Sequence, residues 1–248
     1  MTTQLTIDVG DDAQTTGLVY TPRDAPARAT FVLAHGAGAG QQSGFIAGFA
    51  QGLADRGVDV LTFNFLYTEQ HRRVPDRTEK LEACYRAAVG TARRHFGRPA
   101  VFIGGKSMGG RIATHLAAAD DVEELGIAGV VALGYPLHPP GKPQQLRAAH
   151  LSRIRVPMLI VQGERDPFGT PAELRPILDA LTERERAEPG RSERERSERE
   201  RSERVTLYVV ENGDHSLAPS RQKDRVAAAY VELQQHVADW IRSQNEKG

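Results

Sequence analysis

Apolar residues in this chain fall into short continuous runs, and the stretches between them carry helical spacing. Phe31–Ala34, Val58–Phe63, Ala100–Ile103, Ile127–Leu133, Val156–Val161 and Val205–Val210 are runs of four to seven mostly apolar residues. Runs of that length and character predict strands covered on both faces. Phe45, Phe49 and Leu53 share one face of a helix predicted over Phe45–Arg56, which stops at Gly57. Leu81, Tyr85, Ala88 and Ala92 do the same for Glu79–Phe96, and further helices are expected over Met108–Ala119, Pro171–Leu181 and Val226–Ile241. Two shorter strands, Leu5–Val9 and Thr16–Tyr20, flank the turn Gly10-Asp11-Asp12 and predict an antiparallel edge.

Strands alternating with helices predict an α/β fold, a mostly parallel sheet with helices on both faces. Right-handed crossovers then bring the loops that follow the strands to one rim, where open α/β sheets carry their sites. A chain of 248 residues is enough for one such domain with a sizeable core. One stretch breaks the pattern. Glu183–Arg204 holds eight Glu and eight Arg around a repeated Ser-Glu-Arg-Glu-Arg unit and has no apolar face. It reads as a charged low-complexity insertion in a surface loop, with docking of a charged protein partner as the functional alternative.

Composition narrows the function classes. Lys plus Arg equals Asp plus Glu at 32 each, so no basic footprint points to nucleic acid and no polybasic segment to an anionic membrane surface. The first residues lack the charged start and apolar run of a secretion signal, and no window has membrane-span length; a cytoplasmic location is expected. The single cysteine, Cys84, lies in a helical pattern and is expected as a buried small hydrophobe. No Cys/His grouping has metal-ligand spacing, and no cofactor is expected. Oligomeric state is open, a homodimer included.

The chemistry sits after the strands. Val101-Phe102-Ile103-Gly104 leads into Gly105-Lys106-Ser107-Met108-Gly109, and a helix follows. A strand, a tight turn with small neighbours and a helix lift a serine hydroxyl clear of the backbone. A serine needs a base, and the base needs an acid to orient it. Asp166 follows the strand ending at Val161, and His215 follows the strand ending at Val210, so the chain order is Ser107, Asp166, His215. Glu164 is the alternative acid, closer to the strand end. Asp214 is expected to shape its loop. Backbone N–H groups of Met108, at a helix N-terminus, and of Ala37, in His35-Gly36-Ala37-Gly38, are expected to hold an oxyanion. His35 is expected to anchor that loop.

These motifs resemble those of α/β-hydrolases of the dienelactone-hydrolase-like kind. They are closer still to a small bacterial family that shares a domain with a subunit of the NSL histone-acetyltransferase complex and with a testis-expressed protein. The resemblance is carried by His35–Gly38, Phe63-Asn64-Phe65 with Tyr67, Gly104–Arg111, Tyr135-Pro136-Leu137-His138-Pro139-Pro140-Gly141-Lys142, Gln162–Gly169 and Gly213-Asp214-His215. It implies an α/β-hydrolase fold and a serine hydrolase, without naming a substrate; some such relatives act as scaffolds, which is the alternative function. The Glu/Arg tract departs from the family pattern.

Only about twenty residues separate Leu133 from Val156, too few for a large cap domain. An open cleft for small, soluble acyl esters or thioesters is therefore expected. Asn64, Tyr67, Tyr135, His138 and Phe168, all on post-strand loops, are its expected substrate-binding residues.

Overall fold

The computed structural model describes residues 2–23, 26–98, 100–186 and 204–246, with the side chains of 184–186 left aside. The Glu/Arg tract falls almost wholly outside these residues. Eight strands form one sheet: β1 (Thr3–Gly10), β2 (Ala13–Tyr20), β3 (Ala29–Ala34), β4 (Val58–Phe63), β5 (Val101–Lys106), β6 (Ile127–Leu133), β7 (Met158–Gly163) and β8 (Val205–Val210). Their spatial order is β1-β2-β4-β3-β5-β6-β7-β8. The hairpin β1–β2 joins β4 antiparallel, and every pairing from β4 to β8 is parallel.

Both faces of β3 to β7 are buried, as their mostly apolar runs require, while the edge strand β8 is half-buried. Val32, Ala34, Val130, Ala132 and Ile160 point to one core, shared with Leu81 and Tyr85 of α3 (Thr78–Phe96), Ile112 and Leu116 of α4 (Met108–Ala117), and Leu174 and Leu178 of α5 (Pro171–Arg186). Their chain neighbours Phe31, Leu33, Val131, Leu133 and Leu159 point to the other, with Phe49 and Leu53 of α1 (Gly44–Ala54) and Leu233, Val237 and Ile241 of α6 (Lys223–Asn245). One residue of register thus separates the two cores. Burial of Cys84 pushes its thiol up to about 12, which makes it an inert core residue.

Element ends moved where local chemistry differs from hydrophobicity. The ladder of β7 begins at Met158, after the expected Val156, because Pro157 has no N–H to donate; its carbonyl accepts from Val130 instead. Helix α5 continues past Leu181 to Arg186, with Pro176 inside its second turn. A short helix, α2 (Leu66–Glu69), follows β4. The connection from β6 to β7 holds a single 3₁₀ turn, Ala149–Arg153, and no cap domain. Among the described residues no helix is long and apolar enough to cross a membrane.

Candidate active site

The turn between β5 and α4 is sterically closed. A Cβ on Gly105 would lie 2.5 Å from the Ala34 carbonyl oxygen, and one on Gly109 would lie 2.6 Å from that of His35. Neither position admits a side chain, so α4 packs directly against the strand ends. Ser107, at the apex, has φ 51° and ψ −114°, a conformation non-glycine residues rarely hold.

Three loops from distant parts of the chain meet at its hydroxyl. Ser107 Oγ lies 2.8 Å from His215 Nε2, and His215 Nδ1 lies 2.8 Å from Asp166 Oδ2. Asp166 is 1% exposed. Its Oδ1 accepts from the Phe168 N–H and its Oδ2 also accepts from Gln162 Nε2. Glu164, the other candidate acid, is exposed and accepts from the Asn212 N–H, so it braces the histidine loop. Asp214 accepts from the Ser216 and Ala218 N–H groups and shapes the same loop.

The loop after β3 faces the serine. Buried His35 accepts from the Phe65 N–H at Nε2, so Nδ1 carries the proton and donates to the Gly36 carbonyl. Burial lowers its pKa and keeps it neutral. Gln41 then ties the loop down: its N–H donates to Asn64 Oδ1, and its side chain donates to Thr16. Among the described residues the Ala37 and Met108 N–H groups donate to no protein acceptor. Ala37 is exposed and Met108 half-buried, so both are open to an incoming atom.

The expected cleft residues divide. Phe168 lies against the imidazole, with its ring centroid 4.2 Å from that of His215. Tyr67 is buried edge-on to His35, and its hydroxyl has no partner among the described residues. The polar atoms of the other three have internal partners. Asn64 bridges Gln41 and Glu69, Tyr135 donates to the Arg147 carbonyl, and His138 joins the Pro139 carbonyl to Glu173 of α5. These loops have their backbones at the rim, but three of their side chains turn inward to hold the rim in place.

Two residues of the site lie inside the sequence motifs but have no role assigned by them. Gln162, at the end of β7, donates to Asp166 Oδ2 and the Gly169 carbonyl while its Oε1 accepts from the Tyr135 N–H. Its place at the start of the Gln162–Gly169 stretch and its polar character at the end of an apolar strand were its signals. Lys106 donates to the His215 carbonyl at 2.5 Å.

The family model of the α/β-hydrolase domain matches residues 27–242. The chain belongs to that family. An α/β serine hydrolase homologue from Coxiella burnetii is similar over 96% of both chains, at 15% identity and a TM-score of 0.68. A serine hydrolase without a lid from Xanthomonas campestris matches over 98% of this chain and 94% of its own, at 16% identity and a TM-score of 0.68. Dienelactone hydrolase from Anabaena variabilis matches over 98% and 97%, at 18% identity and a TM-score of 0.64. At these identities the likeness is one of fold.

Proposed function

We propose that the protein is a serine hydrolase acting on small, soluble acyl esters or thioesters. The observation that carries this reading is the unbroken series Ser107 Oγ, His215 Nε2, His215 Nδ1, Asp166 Oδ2, with both contacts at 2.8 Å. Ser107 Oγ attacks the acyl carbonyl as its proton passes to His215 Nε2. Asp166, held by Gln162 and the Phe168 N–H, keeps the imidazole in the Nδ1–H tautomer and stabilises the imidazolium. The carbonyl oxygen becomes an oxyanion under the Ala37 and Met108 N–H groups. The imidazolium then gives its proton to the leaving alkoxide or thiolate, and the C–O or C–S bond breaks. Water, deprotonated by His215, cleaves the acyl-Ser107 ester and the proton returns to Ser107.

The short β6–β7 connection leaves the rim open, which favours short acyl groups over long lipid chains. The test is fluorophosphonate labelling and p-nitrophenyl acetate turnover by wild type and Ser107→Ala. Loss of labelling and a rate loss on the order of 10⁴-fold or more are expected; equal signals in both proteins would sink the reading.

A further inference from the structure

The residue before the nucleophile is a lysine in an unusual place. Lys106 closes β5, and its side chain turns under the site. Nζ donates to the carbonyl oxygen of His215, 109 residues away in sequence, at 2.5 Å. The surroundings are cut to fit it. Opposite stands Gly134, after β6, where a Cβ would lie 2.9 Å from Nζ and 3.1 Å from the His215 oxygen. Gly36 of the loop after β3 packs against the Lys106 main chain and the base of its side chain, where a Cβ would lie 3.2 Å from the Lys106 carbonyl oxygen and 3.8 Å from its Cγ. The charged groups facing the amine are the carboxylates of Asp166, after β7, and Asp214, after β8. Lys106 is thus in contact with the serine turn, the oxyanion loop and the histidine loop together.

A buried ammonium is costly unless it is paired. Burial outweighs the attraction of the two carboxylates and brings the Lys106 pKa down to about 8. The amine is therefore mostly charged at neutral pH in a place that disfavours charge.

We propose that Lys106 is a positioning residue: the turn that exposes Ser107 also sends the Lys106 amine to the His215 main chain, so that one element aims both the nucleophile and its base. The role rests on the hydrolase reading, since it matters only if His215 must meet Ser107 in line. The hydrogen bond gives the His215 carbonyl a charge-assisted donor, roughly twice as strong as a neutral one. The tether is therefore strongest below about pH 8 and weakens as the ammonium loses its proton above it.

The test uses the full chain and Lys106→Met, which keeps the length of the side chain and removes the donor. The expected result is a kcat for p-nitrophenyl acetate lower on the order of 10²-fold, the scale of an ångström-sized misplacement, with KM changed less than about threefold. Wild-type kcat should fall as the pH rises through about 8, and the variant should lack that fall. Its melting temperature at pH 7 should stay within about 4 °C of wild type, because the lost hydrogen bond to the His215 carbonyl and the removal of a disfavoured charge act in opposite directions. The proton between His215 Nδ1 and Asp166, read by low-field proton NMR, should move or broaden in the variant. An unchanged kcat, an unchanged proton signal, or a rate loss accompanied by a melting temperature lower by more than about 8 °C overturns the proposal, the last by making Lys106 a fold residue. The NMR arm needs no turnover: if wild type neither labels nor hydrolyses, the hydrolase reading fails, and that signal alone decides the tether.

Discussion

Two histidines in this molecule make the same contact with a carboxylate. His215 Nδ1 lies 2.8 Å from Asp166, and His115 Nδ1 lies 2.8 Å from Glu82. The first pair spans two post-strand loops at the rim; the second joins α4 to α3 on the outside of the sheet. The Asp166 side chain is fully buried, whereas that of Glu82 is 29% exposed. The decisive difference is at the other ring nitrogen. His215 Nε2 meets a serine hydroxyl held at positive φ, while His115 Nε2 is buried with no partner among the described residues. His115 also meets His150 edge-on, with ring centroids 4.2 Å apart. A carboxylate–histidine contact by itself therefore does not distinguish the two sites. Under the proposed hydrolase reading, what separates His215 from His115 is the Ser107 hydroxyl at its second nitrogen.

That contrast can be broken experimentally. Asp166→Asn keeps the shape but removes the charge that orients His215, and should lower kcat on the order of 10⁴-fold with the fold retained, as read by initial rates and circular dichroism. Gly109→Ala places a Cβ 2.6 Å from the His35 carbonyl oxygen and should destabilise the chain by about 1–3 kcal/mol in a urea titration, with activity falling as the oxyanion loop shifts. The His115–His150 pair should instead register in stability against pH. Burial, aided by neighbouring cations, brings His150 down to about 3, so the folded chain stays neutral there while the unfolded chain binds a proton near 6.5. Stability should therefore be complete above about pH 7 and fall as the pH drops toward 4, and His150→Leu should reduce that slope in thermal melts. The smallest effect belongs to Glu82→Gln, with rates within about threefold of wild type and a stability loss of about 1 kcal/mol or less. A large rate loss there would erase the distinction between the two pairs.

The inner strands β3 to β7 were legible because each is buried on both faces and so is mostly apolar, whereas β1, β2 and the half-buried edge strand β8 were marked by their length and flanking turns. Helix ends were less so, since α5 runs on through Pro176 to Arg186 without an apolar signal to mark its stop. Within the site, Ser107, Asp166 and His215 stood out because each closes a strand in a short motif. The choice between Glu164 and Asp166 did not, because both sit on one turn. It depends on side-chain direction: Arg165 N–H bonds the Gly213 carbonyl, Glu164 goes to Asn212, and Asp166 is left to face His215. The inward turn of Asn64, Tyr135 and His138 was hidden for the same reason. A loop position predicts that a residue is near the rim, not which way its side chain lies.

By itself, the order of apolar runs and helical stretches determined the parallel sheet, its two cores and the single rim, because burial of apolar surface acts on pattern and needs no knowledge of partners. The strained serine turn was likewise local, set by small residues on either side of Ser107. Only the tertiary structure decided which carboxylate meets His215, that Gln162 holds that carboxylate, and that Lys106 reaches under the site to the His215 carbonyl. Those contacts join residues up to 109 positions apart. They exist only because the strand order β3-β5-β6-β7-β8 sets their loops side by side, and hydrogen bonds are satisfied by position and direction in space, which no stretch of sequence carries alone.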